Sequence, residues 1–69
     1  MSLACQHGRF RIKYSLLDGR TGATRWSTEQ AARNALGETN VPAGTYIVQK
    51  IVERNRRCYW HPIETVVKP

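Results

Sequence analysis

Two short clusters carry the side chains with metal-binding or nucleophilic chemistry: Cys5-Gln6-His7 near the start and Cys58-Tyr59-Trp60-His61 near the end. Together they supply four zinc-ligand types in two close pairs. Structural zinc favours pairs separated by two to four residues on a tight knuckle. One residue lies inside the first pair and two aromatic residues lie inside the second, so the spacing argues against a zinc site. A thiol–imidazole dyad of Cys58 and His61 meets a different obstacle, because residues three apart on a strand point to opposite faces. The only aspartate, Asp18, sits in a turn sequence. Paired carboxylates, a phosphate loop, a zinc-protease motif and a nucleophile elbow are all missing from the sequence. The chain therefore reads as a non-enzyme without cofactor or metal. Cys5 and Cys58 are expected to be free thiols in a reducing cytosol, and His7 and His61 to be surface residues.

The remaining chemistry is cationic. Eleven Lys and Arg face five Asp and Glu, a net charge of +6, and arginine outnumbers lysine by 8 to 3. Arginine's planar fork pairs with phosphate or carboxylate oxygens and stacks on aromatic faces, so the excess points to an acidic partner. The charge is uneven along the chain. Residues 1–27 carry five basic side chains against Asp18, and residues 45–69 carry five against Glu53 and Glu64. Residues 28–44 hold Arg33 against Glu29 and Glu38. The candidate binding residues are Arg9, Arg11 and Lys13 in the first segment and Arg54, Arg56, Arg57, Tyr59 and Trp60 in the last. Basic rows with neighbouring aromatics would match phosphates and could stack bases. The same residue types are enriched at protein-binding hot spots, so a protein partner that itself handles nucleic acid competes with this reading.

Elements that could position these residues follow from periodicity. Phe10, Ile12, Tyr14 and Leu16 alternate with Arg9, Arg11, Lys13 and Ser15, the pattern of a half-buried strand with a cationic outer row. Asp18-Gly19 is a hairpin signal, and Ala23 to Trp26 reads as the returning strand. Ser27-Thr28-Glu29-Gln30 fits a capping box with Ser27 as the cap, opening a helix of about ten residues whose Ala31, Ala32, Ala35 and Leu36 recur at helical spacing. Gly37 is placed to stop it in the left-handed conformation. Thr45 to Arg54, rich in β-branched residues, is the longest predicted strand. A two-residue turn at Asn55-Arg56 would set Arg54 opposite Arg57, Ile51 across from Trp60 on one face, and Val52 across from Tyr59 on the other. Pro62 confines the last strand to an edge or bends it, and Ile63 to Val67 continue beyond.

The expected fold is a single α+β domain over residues 1–69. It has an antiparallel sheet of four or five strands in ββαββ order and one short helix packed on one face. At 69 residues the chain has room for one small core. No stretch approaches the ~18 apolar residues of a membrane helix, and a cytoplasmic location is expected.

The run Ser27-Thr28-Glu29-Gln30-Ala31-Ala32-Arg33-Asn34-Ala35 is followed after a short loop by Gly44-Thr45 and a long β-branched strand. In this pattern, in size and in element order the chain resembles the small phage-encoded anti-CRISPR proteins of the type I-F group. The resemblance implies a non-enzymatic inhibitor that binds a host crRNA-guided CRISPR-Cas surveillance complex and obstructs access of target DNA. It fixes no contact residues in this sequence. The alternative is a small basic protein that binds DNA or RNA directly through its arginine-rich sheet face.

Overall fold

The computed structural model describes residues 9–38 and 40–69. Strands β1 (Phe10–Leu16) and β2 (Thr21–Trp26), helix α1 (Glu29–Leu36), and strands β3 (Gly44–Arg54) and β4 (Arg57–Lys68) follow in the expected ββαββ order. All pairings are antiparallel and the sheet order is β2-β1-β3-β4. Two sequential hairpins thus meet along a β1/β3 seam, where Ile12 opposes Val48 and Tyr14 opposes Tyr46.

The first hairpin closes over Leu17-Asp18-Gly19. Leu16 N–H donates to Arg20 O at 2.8 Å and Gly19 N–H to Leu16 O at 3.0 Å. Gly19 takes φ +98°, the left-handed residue that a three-residue loop requires. Asp18 ties the loop by accepting Arg20 N–H at Oδ1 (3.0 Å) and Arg20 Nε at Oδ2 (2.7 Å). The backbone donor chiefly, opposed by slight desolvation and helped by the Arg20 side chain, holds the Asp18 carboxyl below the usual carboxylate range. Because the folded value lies below the unfolded one, this tie stabilises above the unfolded pKa and is lost as pH falls through the folded pKa. Carboxyl NMR should therefore find Asp18 titrating below a peptide aspartate, and Asp18→Asn should remove that step from the acid stability profile.

Helix α1 begins one residue later than the capping box suggested. Thr28, not Ser27, is the N-cap. Its extended backbone (φ −135°, ψ 156°) brings the hydroxyl oxygen to Ala31 N–H at 3.1 Å. Gln30 then falls in the first turn, and its amide donates to Asn34 Oδ1 at 2.8 Å instead of reaching back to the cap. The other end also differs from expectation. Gly37 stays right-handed (φ −80°, ψ −5°), its N–H shared between the carbonyls of Arg33 and Asn34 at 3.1 Å each. This tightened last turn satisfies the terminal carbonyls without a left-handed residue.

The helix packs on β1 and β2. Ile12, Ala32, Leu36, Tyr46 and Val48 are the buried core, ringed by Tyr14, Leu16, Trp26, Ala35, Val41 and Val66. Ala32, with no exposed surface, allows the close approach that its small side chain suggested. Fully burying one side chain such as Val48 contributes about 1.5–3 kcal/mol, so a core this small leaves little margin. Arg33 adds a tie from the helix to the sheet. It donates Nε to Glu29 at 2.7 Å and Nη1 to Glu64 on β4. These two acceptors, Glu29 first, raise the Arg33 pKa above its ordinary value.

No separate fifth strand follows Pro62, because β4 runs on through it. Gln49 pairs with Pro62 and Val48 with Glu64, so Ile63 is an extra residue that makes a β-bulge on this edge strand.

Candidate functional site: an arginine-tipped ribbon and an open sheet face

Residues directly opposite in an antiparallel ladder share a face, so the registers assign the strand side chains to faces. Arg11 opposes Arg25 and Gln49, and Lys13 opposes Ala23 and Ile47. Ile51 opposes Trp60. These residues line the face away from α1. Phe10, Ile12, Tyr14, Trp26, Tyr46 and Val48 alternate with them on the helix-bearing face, where all but Phe10 belong to the core or pack against it.

The long β3/β4 hairpin outruns the rest of the sheet. The ladder between β1 and β3 ends at Phe10–Lys50, and the last bond across the seam runs from Ile51 N–H to Arg9 O at 2.9 Å. Beyond it, Val52–Arg54 and Arg57–Tyr59 pair only with each other among the described residues. At ~3.4 Å per residue this two-stranded ribbon projects about 10 Å past the sheet. The chain is correspondingly long, 42 × 23 × 16 Å.

The ribbon ends in a two-residue turn at Asn55-Arg56, with Arg54 opposite Arg57 as the sequence suggested. Asn55 (φ +50°) and Arg56 (φ +64°) both lie in the left-handed region, as a type I′ turn demands. Asparagine tolerates this; arginine does not, and its Cβ meets the following carbonyl at a cost of about 1–2 kcal/mol. A strained residue kept at the tip of a projecting element is a pointer to use. Arg54, Arg56 and Arg57 are all exposed and hold no ion pair among the described residues. Replacing Arg56 by glycine, the residue the turn prefers, should raise stability by about 1 kcal/mol, or roughly 4–8 °C in the thermal midpoint, while weakening whatever binding the tip performs. Thermal unfolding and a ligand titration on the same sample would measure both, and a drop in midpoint would mean that the turn carries no such strain.

Seven of the eight sequence-predicted residues fall into two groups. Arg11, Lys13 and Trp60 share the open face, with Arg9 just before β1. Arg54, Arg56 and Arg57 form the tip. Tyr59, half exposed, is not on the open face: it opposes Val52 on the other side of the ribbon and lines a hollow with Val52, Arg54, Asn55, Trp60 and His61. As successive residues of β4, Tyr59 and Trp60 direct their rings to opposite faces of the ribbon.

Trp60 instead reaches over β1 and β2. The Arg11 guanidinium carbon lies 4.5 Å from its ring centroid and that of Arg25 lies 5.8 Å away, both within cation–π range. Arg11 Nε donates to Gln49 Oε1 at 2.7 Å, fixing the fork. Partial burial, and then the Arg25 charge, lower the Arg11 pKa from its ordinary value. Arg25 and Gln49 were missed from sequence. The signal was present in the hairpin register, since a loop at 17–19 sets Arg25 opposite Arg11. Among the described residues, Arg20 pairs with Asp18 in the first hairpin loop and Arg33 with Glu29 and Glu64 beside the helix, away from this group.

Cys58 is disulfide-bonded, which corrects the free thiol expected from a reducing compartment. Its partner lies outside the described residues, as do Cys5 and His7. With the disulfide goes the thiol-based reason for placing the chain in the cytoplasm. Cys58 and His61 fall on opposite faces of β4, opposing Glu53 and Lys50 respectively. Among the described residues no three His, Cys, Asp or Glu side chains come together as a metal site would need. No helix among them is long and apolar enough to cross a membrane. No protein-family model, curated protein or solved structure matches the chain.

Proposed function

We propose that this chain is a non-enzymatic nucleic-acid-binding module whose β3/β4 ribbon enters a groove of a duplex while its open face lies against the backbone. The observation that carries the reading is the projecting ribbon tipped by Arg54, Arg56 and Arg57, strained at Arg56 and without acidic partners among the described residues. A two-stranded ribbon fits the B-DNA major groove, which is about 12 Å wide. Arginine forks there reach phosphates or the acceptor edge of guanine.

Titration of labelled duplex DNA and RNA across a range of salt tests it. Affinity should fall steeply and linearly in the logarithm of salt concentration, as release of counterions from phosphates requires. Absence of binding at low salt would overturn the proposal.

A second reading, inhibition of a host CRISPR-Cas nucleoprotein complex by occlusion of its DNA channel, draws on the sequence resemblance and on Tyr59. An exposed tyrosine beside Val52 and Arg54 has the composition of a protein-binding hot spot. Stoichiometric association with a purified crRNA-guided complex, in a chain that ignores free nucleic acid, would select this reading over the first.

A further inference from the structure

On the side of the sheet that carries α1, the core leaves part of the space between the layers unfilled. A cleft of about 300 Å³ opens to solvent there, floored by Ile12 and Tyr14 of β1 and walled by Trp26 of β2, the Ala35-Leu36 end of α1 and Pro42. An apolar cavity of ~150 Å³ takes benzene, so this cleft has room for two fused rings. Its aromatic walls are held in place. Trp26 Nε1 donates to Thr24 Oγ1 at 3.0 Å, and the Tyr46 hydroxyl donates to Pro42 O. Tyr14, its ring centroid 6.5 Å from that of Tyr46, lies over Gly22 on β2, where a Cβ would stand 2.8 Å from Tyr14 Cζ.

The mouth of the cleft is polar. Arg20, exposed in the first hairpin, is the one charged side chain that lines it among the described residues; Asp18 does not. Asp18 takes Arg20 Nε at 2.7 Å, and the terminal nitrogens of Arg20 have no other partner among the described residues. A guanidinium donates along more than one edge of its plane, so a second carboxylate can pair with the edge that Asp18 leaves. The Tyr14 hydroxyl likewise makes no hydrogen bond among the described residues.

From this arrangement we infer a binding site for a small aromatic carboxylate. Its rings lie among Tyr14, Trp26 and Tyr46, and its carboxylate meets the terminal nitrogens of Arg20. A pocket that is apolar within and carries one placed cation at its rim binds such a molecule end on. The cleft is on the opposite side of the sheet from Trp60 and at the opposite end of the hairpins from the ribbon tip, so it does not rest on the nucleic-acid reading.

The test is an NMR titration of the intact chain with 2-naphthoate and, in parallel, the uncharged 2-naphthamide at constant ionic strength, following the indole N–H signals of both tryptophans. 2-Naphthoate should shift Trp26 saturably and leave Trp60 in place. 2-Naphthamide should bind at least about tenfold more weakly, for want of the charge-assisted contact. Arg20→Gln should weaken 2-naphthoate by a similar factor and leave 2-naphthamide unchanged. Ala35→Leu keeps a good helix former and extends a side chain into the cleft, so it should weaken both probes at least about tenfold, with circular dichroism confirming the fold. No saturable shift at Trp26, or unchanged affinity in a folded Ala35→Leu chain, would overturn the site. Equal affinity for the two probes would overturn its assignment to a carboxylate. A Trp26 signal that moves with protein concentration in the absence of probe, together with a dimer in sedimentation, would give the cleft to a second copy of the chain and overturn the small-molecule assignment.

Discussion

Replacing Arg54, Arg56 and Arg57 together by glutamate should lower affinity for duplex DNA at least about 100-fold near 0.1 M salt and flatten the salt dependence by roughly three units of logarithmic slope. Each arginine that contacts a phosphate contributes about one unit, and reversal adds repulsion to the lost attraction. Stability should hardly change. All three side chains are exposed and none has an acidic partner among the described residues, so the folded sheet gives up no contact. Circular dichroism on the variant separates lost binding from lost folding. Unchanged DNA affinity in a folded triple variant would remove the tip from the interface and leave the open face to explain any binding.

The largest stability effect belongs to a residue with no side chain. Gly44 opens β3, buried between Leu16 on one neighbouring strand and Lys68 on the other. A Cβ placed there would stand 2.6 Å from the carbonyl oxygen of Ser15 and 2.8 Å from Leu16 Cα. Both are backbone atoms of the central seam, so no rotamer change relieves the clash. Either β1 or β3 must move. Gly44→Ala should cost about 1–3 kcal/mol, the range for overpacking, and in a domain of this size that shifts the thermal midpoint down by roughly 4–8 °C per kcal/mol. Thermal and urea unfolding measure it. A neutral result would show that β1 and β3 can separate at this end without loss.

Element order, strand alternation and the Asn55-Arg56 turn were legible because each depends on neighbours in sequence. Phe10 to Leu16 announces its two faces by alternation alone, and the turn residues set the register of Ile51 on Trp60 and Val52 on Tyr59. Helix ends were less legible. Ser27 and Thr28 are both favourable caps by type, serine the better, and only the extended backbone at Thr28 decides between them. The neighbours of Arg11 on the open face were harder still. Arg25 lies in a strand with weak alternation, and nothing local indicates that Trp60, on the far edge, would reach past β3 to Arg11. Local rules thus placed the ribbon tip, whereas the open face needed the β1/β3 pairing, which links residues 28 to 40 positions apart.

The bulge at Ile63 bears on solubility as well as on geometry. β4 is twelve residues long and carries Tyr59, Ile63 and Val67 exposed along its outer edge. A flat edge of that length would template a further strand from another molecule. Pro62 lacks one donor in mid-strand and the extra residue beside it breaks the ladder's repeat. The edge is thereby cut into two short runs, Arg57 to His61 and Glu64 to Lys68, whose alternations are out of step, so no single incoming strand can zip along both, and growth into a continuous cross-β stack is blocked at its first step.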